Sequence, residues 1–218
     1  AAGIHMAFAP VADVNVNPDN PVINTRSYGS DPASVSSRVV QFIAGARSAG
    51  LMTVVKHFPG HGDTETDSHL AMPVLGVDRL RMDEVELAPF RAAIEAGVDG
   101  VMTAHLAVPA LDPWATLRPA TLSPPILTHL LREELSFGGL VVTDALHMDG
   151  VKRHGRPGQV AVDAVLAGAD ILLMPPDEEA AIDAVVTAVR RGRISEARID
   201  HSVRRVLAAK AVVGLTQG

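Results

Sequence analysis

Residues 51–62 read Leu51-Met52-Thr53-Val54-Val55-Lys56-His57-Phe58-Pro59-Gly60-His61-Gly62. The first six are rich in apolar and β-branched side chains, as a strand that is covered on both faces requires. The last six combine titratable side chains with the proline and glycines of a tight loop. A buried strand that ends in a polar loop is typical of a βα unit, so this stretch predicts an α/β fold with a parallel sheet.

Four more strands of the same character are predicted on either side of residues 51–56. They are Ile4 to Pro10, Gly100 to Ala104, Leu140 to Asp144 and Asp170 to Met174. Helices are predicted at 31–50, 83–97, 123–137, 159–168, 178–192 and 195–213, from start and stop residues such as Asp31-Pro32 and Gly50. Such alternation usually builds an eight-stranded barrel, which five units cannot close. We therefore expect a (β/α)8 TIM-type barrel that lacks its first two strands in this chain and whose eighth strand is short or unrecognised, as a single partial domain over residues 1–218.

Composition narrows the classes of function. The chain has 218 residues, a formal net charge of -6 and no cluster of Lys and Arg, which argues against a nucleic-acid partner. It has no cysteine, which excludes disulfides and thiolate metal sites. No apolar run approaches the roughly 18 residues of a membrane span, so no transmembrane segment is expected. We expect a soluble chain, cytoplasmic or exported with its signal outside this chain, and the oligomeric state stays open.

Polar residues follow four of the predicted strands, at or near the point where each ends. They are Asp13 and Asn15, Lys56 and His57, His105, and Thr143 and Asp144. In parallel βα folds the carboxyl ends of the strands form the active-site face, and catalytic groups come from several strands. A single polar residue can also simply mark where a strand meets a loop, and that alternative stays open for each of them.

The segment from Lys56 to Leu75, named here the signature loop, has the densest set of titratable residues. It contains His57, His61, Asp63, Glu65, Asp67 and His69. Asp67 and His69 are two residues apart, so a turning loop can pair the carboxylate with the imidazole. Such a pair would give a general acid with a pKa near the working pH. Surface histidines in a polar loop are the simpler alternative.

A metal site is the competing functional interpretation of this loop, since closely spaced His and Asp side chains can bind zinc. His57 and His61 are four residues apart, but Phe58-Pro59-Gly60 between them prevents the helix that would align the two rings. We therefore expect neither a metal nor another cofactor.

Asp144 stands at the end of a predicted strand. A carboxylate in such a place must be paired, hydrogen-bonded or functional, because an uncompensated buried charge is costly. At the mouth of a site it could act as a nucleophile. An apolar run followed by an aspartate is weak evidence by itself, so both interpretations stay open.

The signature loop resembles that of the bacterial N-acetyl-β-glucosaminidases, or β-hexosaminidases, of glycoside hydrolase family 3. The matching residues are Lys56-His57-Phe58-Pro59-Gly60-His61-Gly62, followed at the same distance by Asp67-Ser68-His69. The resemblance extends over nearly all of the chain, through Phe8 to Val14, Thr25 to Gly29, Asp31-Pro32, Val142 to Ala145 and Met148.

The resemblance implies a retaining exo-β-N-acetylglucosaminidase that acts on N-acetylglucosamine-containing oligosaccharides, derived from peptidoglycan or chitin. Asp144 would form a covalent glycosyl-enzyme, while His69, partnered by Asp67, would protonate the leaving oxygen and later activate water. Three further residues, Arg26, Lys56 and His57, match positions that bind the terminal sugar. Met148 matches an apolar residue beside that sugar.

One motif of the family, Asp-x-Glu-Gly-Gly, does not occur in this sequence and belongs to the strands that the chain lacks. Two rival functions stay open. An imidazole acid would not repel an incoming phosphate, which suits an N-acetyl-β-glucosaminide phosphorylase. An incomplete barrel could also retain sugar contacts without turnover, as an inactive sugar-binding fragment.

Overall fold

A computed structural model gives the structure of the chain and describes residues 3–68, 70–113 and 117–215. Within these residues the predicted α/β fold with a parallel sheet is confirmed. The sheet has the strand order β1-β2-β3-β4, and its strands are Met6–Ala7, Met52–Phe58, Gly100–Thr103 and Leu140–Val142. This is the arrangement of a partial (β/α) barrel.

The register between β2 and β3 shifts where the signature loop begins. Val55 pairs with Val101, whereas Phe58 pairs with Thr103, so two β2 residues, Lys56 and His57, lie in the irregular stretch. Bulges of this kind are frequent beside active sites, because they redirect side chains at the end of a strand. β2 therefore extends further than predicted and carries His57 within the strand.

The first strand is shorter than predicted. β1 covers Met6–Ala7, although Val54 and Lys56 continue to donate backbone hydrogen bonds to the carbonyls of Ala9 and Pro10, at 3.1 Å each. Pro10 has no N–H group, so a regular ladder cannot run through it.

The predicted fifth strand, Asp170 to Met174, is only partly present. Ile171 forms a single parallel bridge with Val142, and the Thr143 amide donates to the Ile171 carbonyl at 3.0 Å. The amide of Leu173, two residues further on, donates to the Thr143 side-chain oxygen at 2.9 Å instead of a backbone carbonyl. The side chain of Thr143 thus interrupts the ladder.

Helices lie between the strands and after the last one. In chain order they are α1 (Pro32–Ser48), α2 (Arg79–Arg81), α3 (Ala88–Glu95), α4 (Asp149–Lys152), α5 (Pro157–Ala167), α6 (Glu178–Arg190) and α7 (Glu196–Val212). Met82–Glu86 and Pro125–Glu134 have π-type hydrogen bonds, and Asn24–Arg26 and Ala120–Leu122 form 3-10 turns. The segment predicted to begin at 83 begins earlier, because Asp78 caps the Arg81 amide at 2.8 Å.

The core occupies both faces of the sheet. Alternate residues of the strands point to opposite sides, so that Val55, Val101 and Val141 pack in one cluster with α1, α3 and α5. A second cluster consists of Val54, Met102, Leu140 and Val142, and Val206 and Ala209 of α7 pack against it. Both faces are covered, as the apolar character of the strands predicts.

Helix α7 is also attached to the sheet by charged and polar contacts. The Asp170 carboxylate, which is fully buried, accepts from Ser202 Oγ at 2.6 Å and from Arg205 at 3.1 Å. Arg132 also pairs with Asp170, and burial lowers the pKa of Arg132 to about 10 despite the opposing effect of that carboxylate. Asp170 therefore holds together the start of the fifth extended segment, the Pro125–Glu134 helix and α7.

An apolar groove of about 700 Å³ lies between α6 and α7. Val203 and Leu207 line it and are 47% and 50% exposed, and Ile182 of α6 lines it from the other side. No helix in the described part of the chain is both long enough and apolar enough to cross a membrane.

Candidate active site

The buried carboxylate of Asp13 organises the start of the signature loop. It accepts from the backbone amide of His57 at 3.2 Å, from His57 Nδ1 at 2.7 Å and from the backbone amide of His61 at 2.7 Å. Burial acts to raise the pKa of Asp13, but the electrostatic interaction and the hydrogen bond with His57, with help from His61, lower it below its usual value. Asp13 is therefore a buried anion that holds two histidine positions at once.

His57 connects Asp13 to Arg26. Because Asp13 accepts from Nδ1, the proton lies on that nitrogen, and Nε2 faces Arg26 Nη2 at 3.3 Å as an acceptor. Arg26 stands at the end of the 3-10 turn Asn24–Arg26 and also donates to the Val22 carbonyl at 3.2 Å. Two of the predicted sugar-binding residues, Arg26 and His57, are thus in direct contact.

Lys56 and Asp144 approach the same site from β2 and β4. Burial lowers the pKa of Lys56 from its usual value, and Arg26 acts in the same direction. Asp144 and Asp13 oppose that shift, which places both carboxylates within electrostatic reach of the Lys56 ammonium. Asp144 is half-buried, and its Oδ1 accepts from the Ala145 amide at 2.8 Å. The carboxyl ends of β2 and β4 therefore bring Arg26, Lys56, His57 and Asp144 together.

His61 is a buried part of the loop and not a surface histidine. Its Nδ1 lies 2.7 Å from Thr64 Oγ1, and burial lowers its pKa below the usual value. The next residue, Gly62, presses against the segment that follows β1, where a Cβ would lie 1.9 Å from the Val14 carbonyl oxygen. The loop is thus packed too closely on Val14 for any side chain at position 62.

Behind the loop lies a group that sequence reasoning missed. Arg81 donates to Asp63 at 3.1 Å and to the buried Glu86 at 3.0 Å. Burial raises the pKa of Glu86, and Arg81 opposes that shift. Glu86 fits there because Gly60 has no Cβ, which would lie 2.8 Å from the Glu86 Cβ. Arg81 therefore links Asp63 of the loop to the buried Glu86.

The other end of the loop carries the proposed acid/base pair. The backbone carbonyl of Asp67 accepts from the amides of Leu70 and Ala71 at 3.0 Å each, which shows that the chain turns there. Ser68 is buried, and its carbonyl accepts from the Gly150 amide at 3.1 Å. His69 lies outside the described residues, so its predicted pairing with Asp67 stays a prediction.

Met148 lies just beyond Asp144 at the start of α4. Its side chain is buried, and its amide donates to the Ala145 carbonyl at 3.1 Å. A tight turn thus separates Asp144 from Met148. Within the described residues, no group of three or more His, Cys, Asp or Glu side chains is arranged to hold a metal ion.

His105 lies just after β3, where the sequence predicts only a polar residue at a strand end. Its Nε2 lies 3.0 Å from the Ala145 carbonyl and its Nδ1 lies 2.8 Å from Thr121 Oγ1. A carbonyl can only accept, so Nε2 carries the proton. Burial lowers the pKa of His105 to about 4, although Asp144 opposes the shift. His105 is therefore a neutral imidazole beside the Asp144 segment.

This pKa predicts a loss of stability in mild acid. The unfolded chain binds a proton at His105 near pH 6.5, whereas the folded chain resists it until about pH 4. The stabilisation is fully present above pH 6.5 and is lost as the pH falls towards 4, by about 3 kcal/mol. Urea unfolding of the chain and of His105→Gln at pH 7.5 and 4.5 measures the effect.

The expected result is a smaller loss of unfolding free energy in His105→Gln than in the unaltered chain. Buried His61 titrates in the same direction, so part of the loss remains in the variant. His129→Gln, at an exposed position on the Pro125–Glu134 helix, is the matched control and should leave the difference between the two pH values unchanged. Equal losses in all three proteins would contradict the role of His105.

Known proteins resemble this chain in sequence and in fold. Residues 1–209 match the model of the Glycosyl hydrolase family 3 N terminal domain. The chain belongs to glycoside hydrolase family 3. It is 43% identical over 182 residues to β-hexosaminidase A of Pseudoalteromonas piscicida, which covers 79% of this chain and 30% of that protein.

Solved structures of similar proteins have the same fold. A β-N-acetylglucosaminidase from Paenibacillus sp. str. FPU-7 is 49% identical with a TM-score of 0.95, over 99% of this chain and 41% of that one. A β-glucoside phosphorylase, BglX, is 29% identical with a TM-score of 0.94, over 99% of this chain and 40% of that one. The resemblance to family 3 and the barrel-type fold predicted from sequence are confirmed, and the chain spans less than half the length of these relatives.

Proposed function

We propose that this chain carries the catalytic machinery of a retaining exo-β-N-acetylglucosaminidase. The observation that carries the proposal is the convergence of Asp144 with Lys56, His57 and Arg26 at the carboxyl edge of the sheet. One carboxylate beside the cationic donors of Arg26 and Lys56 suits attack on a sugar whose hydroxyl and acetamido oxygens those donors bind. The names of the Pseudoalteromonas and Paenibacillus relatives support this choice of sugar.

The reaction would proceed in two steps. In the first, an oxygen of Asp144 forms a bond to the anomeric carbon as the glycosidic bond breaks, and His69 gives its proton to the departing oxygen. In the second, water attacks the same carbon, its proton passes to His69, and the bond to Asp144 breaks. Asp67 would orient the imidazole of His69 and stabilise its charged form.

Substrate recognition would come from the strand ends and the neighbouring turn. Arg26 and Lys56 supply cationic donors, and His57, fixed by Asp13, sets the orientation of the Arg26 guanidinium. Met148 would contact the apolar face of the sugar. The substrates we propose are peptidoglycan fragments or chitin oligosaccharides that end in N-acetylglucosamine.

We also propose that residues 1–218 form one partial catalytic barrel domain, to which two further strands would contribute the rest of the sugar subsite. The parallel order of the strands and the extended segment at 170–174 support this arrangement.

Phosphorolysis is the second candidate, favoured by the structural similarity to a β-glucoside phosphorylase. The protein in its natural length is incubated with chitobiose in phosphate buffer and in a non-phosphate buffer, and products are followed by proton and phosphorus NMR. We expect free N-acetylglucosamine, released first as the β-anomer, at the same rate in both buffers. A sugar 1-phosphate would identify a phosphorylase, and calorimetric binding without any product would identify a sugar-binding module.

A further inference from the structure

Gly150 lies where three segments of the site meet. Its amide donates to the carbonyl of Ser68 in the signature loop at 3.1 Å. A Cβ at this position would lie 2.9 Å from the Ser68 carbonyl oxygen, 2.9 Å from that of His105 and 3.0 Å from the His105 Cβ. Two of these three atoms are backbone oxygens, which cannot move aside as a flexible side chain can. Only glycine therefore lets the loop approach this closely.

His105 makes a second connection in the same place. Its ring binds the Ala145 carbonyl at 3.0 Å, next to Asp144, while its own backbone carbonyl packs against Gly150. The segment 144–150, which carries the proposed nucleophile at its first residue, is thus held at both ends by His105. At its far end the same segment binds the signature loop at Ser68, which is one residue before the proposed acid/base, His69.

We propose that Gly150 is a positioning residue, which fixes the Ser68 end of the signature loop against the segment that carries Asp144 and so sets the separation of the two catalytic groups. The inference rests on the proposed function of Asp144 and His69. A retaining mechanism needs the two groups at a defined spacing across the scissile bond. A displacement of about 1 Å can cost roughly 100-fold in rate.

The test compares Gly150→Ala with Gly76→Ala, a glycine just beyond the loop where a Cβ would meet no described atom within 4 Å. Values of kcat/KM are measured for an alkyl N-acetyl-β-glucosaminide, which needs a proton to leave, and for the 2,4-dinitrophenyl glycoside, which does not. For Gly150→Ala we expect a loss of about 100-fold with the alkyl glycoside and under about fivefold with the dinitrophenyl glycoside. Gly76→Ala should match the unaltered protein on both substrates.

Hydrogen exchange gives a second readout that is independent of catalysis. In Gly150→Ala the amides of residues 61–75 should exchange at least about tenfold faster, while those of residues 140–143 keep their rates. In the unaltered protein the amide of Gly150 should be protected to the same degree as those of Leu70 and Ala71, because they would open together.

Three outcomes would overturn the inference: equal losses of kcat/KM on both substrates, no loss on either, or a Gly150 amide in the unaltered protein that exchanges freely. The last measurement needs no variant and decides the matter even if Gly150→Ala does not fold. If the unaltered protein cleaves neither glycoside, the proposed function fails, while the exchange rates still decide whether Gly150 anchors the loop.

Discussion

Asp144→Ala is expected to lower kcat/KM for an aryl N-acetyl-β-glucosaminide by about 10³-fold to 10⁵-fold in the protein of natural length. The proposed nucleophile supplies the bond that replaces the glycosidic bond, and alanine cannot form it. Folding should be little affected, because Asp144 is half-buried and the hydrogen bond that it makes with the Ala145 amide is local. Steady-state kinetics with a chromogenic glycoside measure the loss.

The matched control for this prediction is Asp149→Ala, five residues further along the same segment. Asp149 pairs with Lys152 and Arg153, both within or next to α4. Its replacement should leave kcat/KM within about twofold. Full activity in Asp144→Ala would remove Asp144 from the mechanism, and an equal loss in Asp149→Ala would mean that the segment had simply lost its shape.

The second large effect is expected for Asp13→Asn. The carboxylate of Asp13 accepts three hydrogen bonds from two histidines, and an amide group offers one acceptor oxygen together with an unwanted donor. Breaking one side of such a buried charged network costs about 3 to 5 kcal/mol of unfolding free energy. Thermal and urea unfolding of the chain at pH 7 measure this change.

Activity should also fall in Asp13→Asn, since His57 loses the contact that orients its ring towards Arg26. We expect an increase in KM of at least about tenfold, because the cationic donors for the sugar are no longer held in place. Asp19→Asn, an exposed aspartate a few residues further along, is the control and should change neither quantity. Unchanged stability in Asp13→Asn would show that the buried anion is dispensable.

The strands and the signature loop could be predicted from the sequence because their signals are local. Apolar runs such as residues 51–55 mark buried strands, and the order of residues in the loop identified the family. The limits of the strands were less predictable. Pro10 interrupts the pairing of β1, and the side chain of Thr143 takes the place of a backbone partner for Leu173.

Contacts between distant residues could not be predicted in this way. Asp13 and His57 are 44 residues apart in sequence, and His105 binds a carbonyl 40 residues away. Both stood out as polar residues near strand ends, but nothing local shows which partner each one meets. Glu86 gave even less indication, because a glutamate in an amphipathic helical segment looks like any surface charge until Gly60 is seen to make room for it.

The buried carboxylate of Asp170 holds helix α7 in place through ion pairs. None of the α7 residues, all of which are described, is fully buried, whereas Arg198 and Arg205 of this helix and Arg132 all converge on that one anion. Replacing Asp170 by asparagine would remove the negative charge and leave the three guanidinium groups close together. An attractive contact would then become a repulsive one. The attachment of helix α7 therefore depends on the ionised form of Asp170 as well as on the packing of Val206 and Ala209 against the sheet.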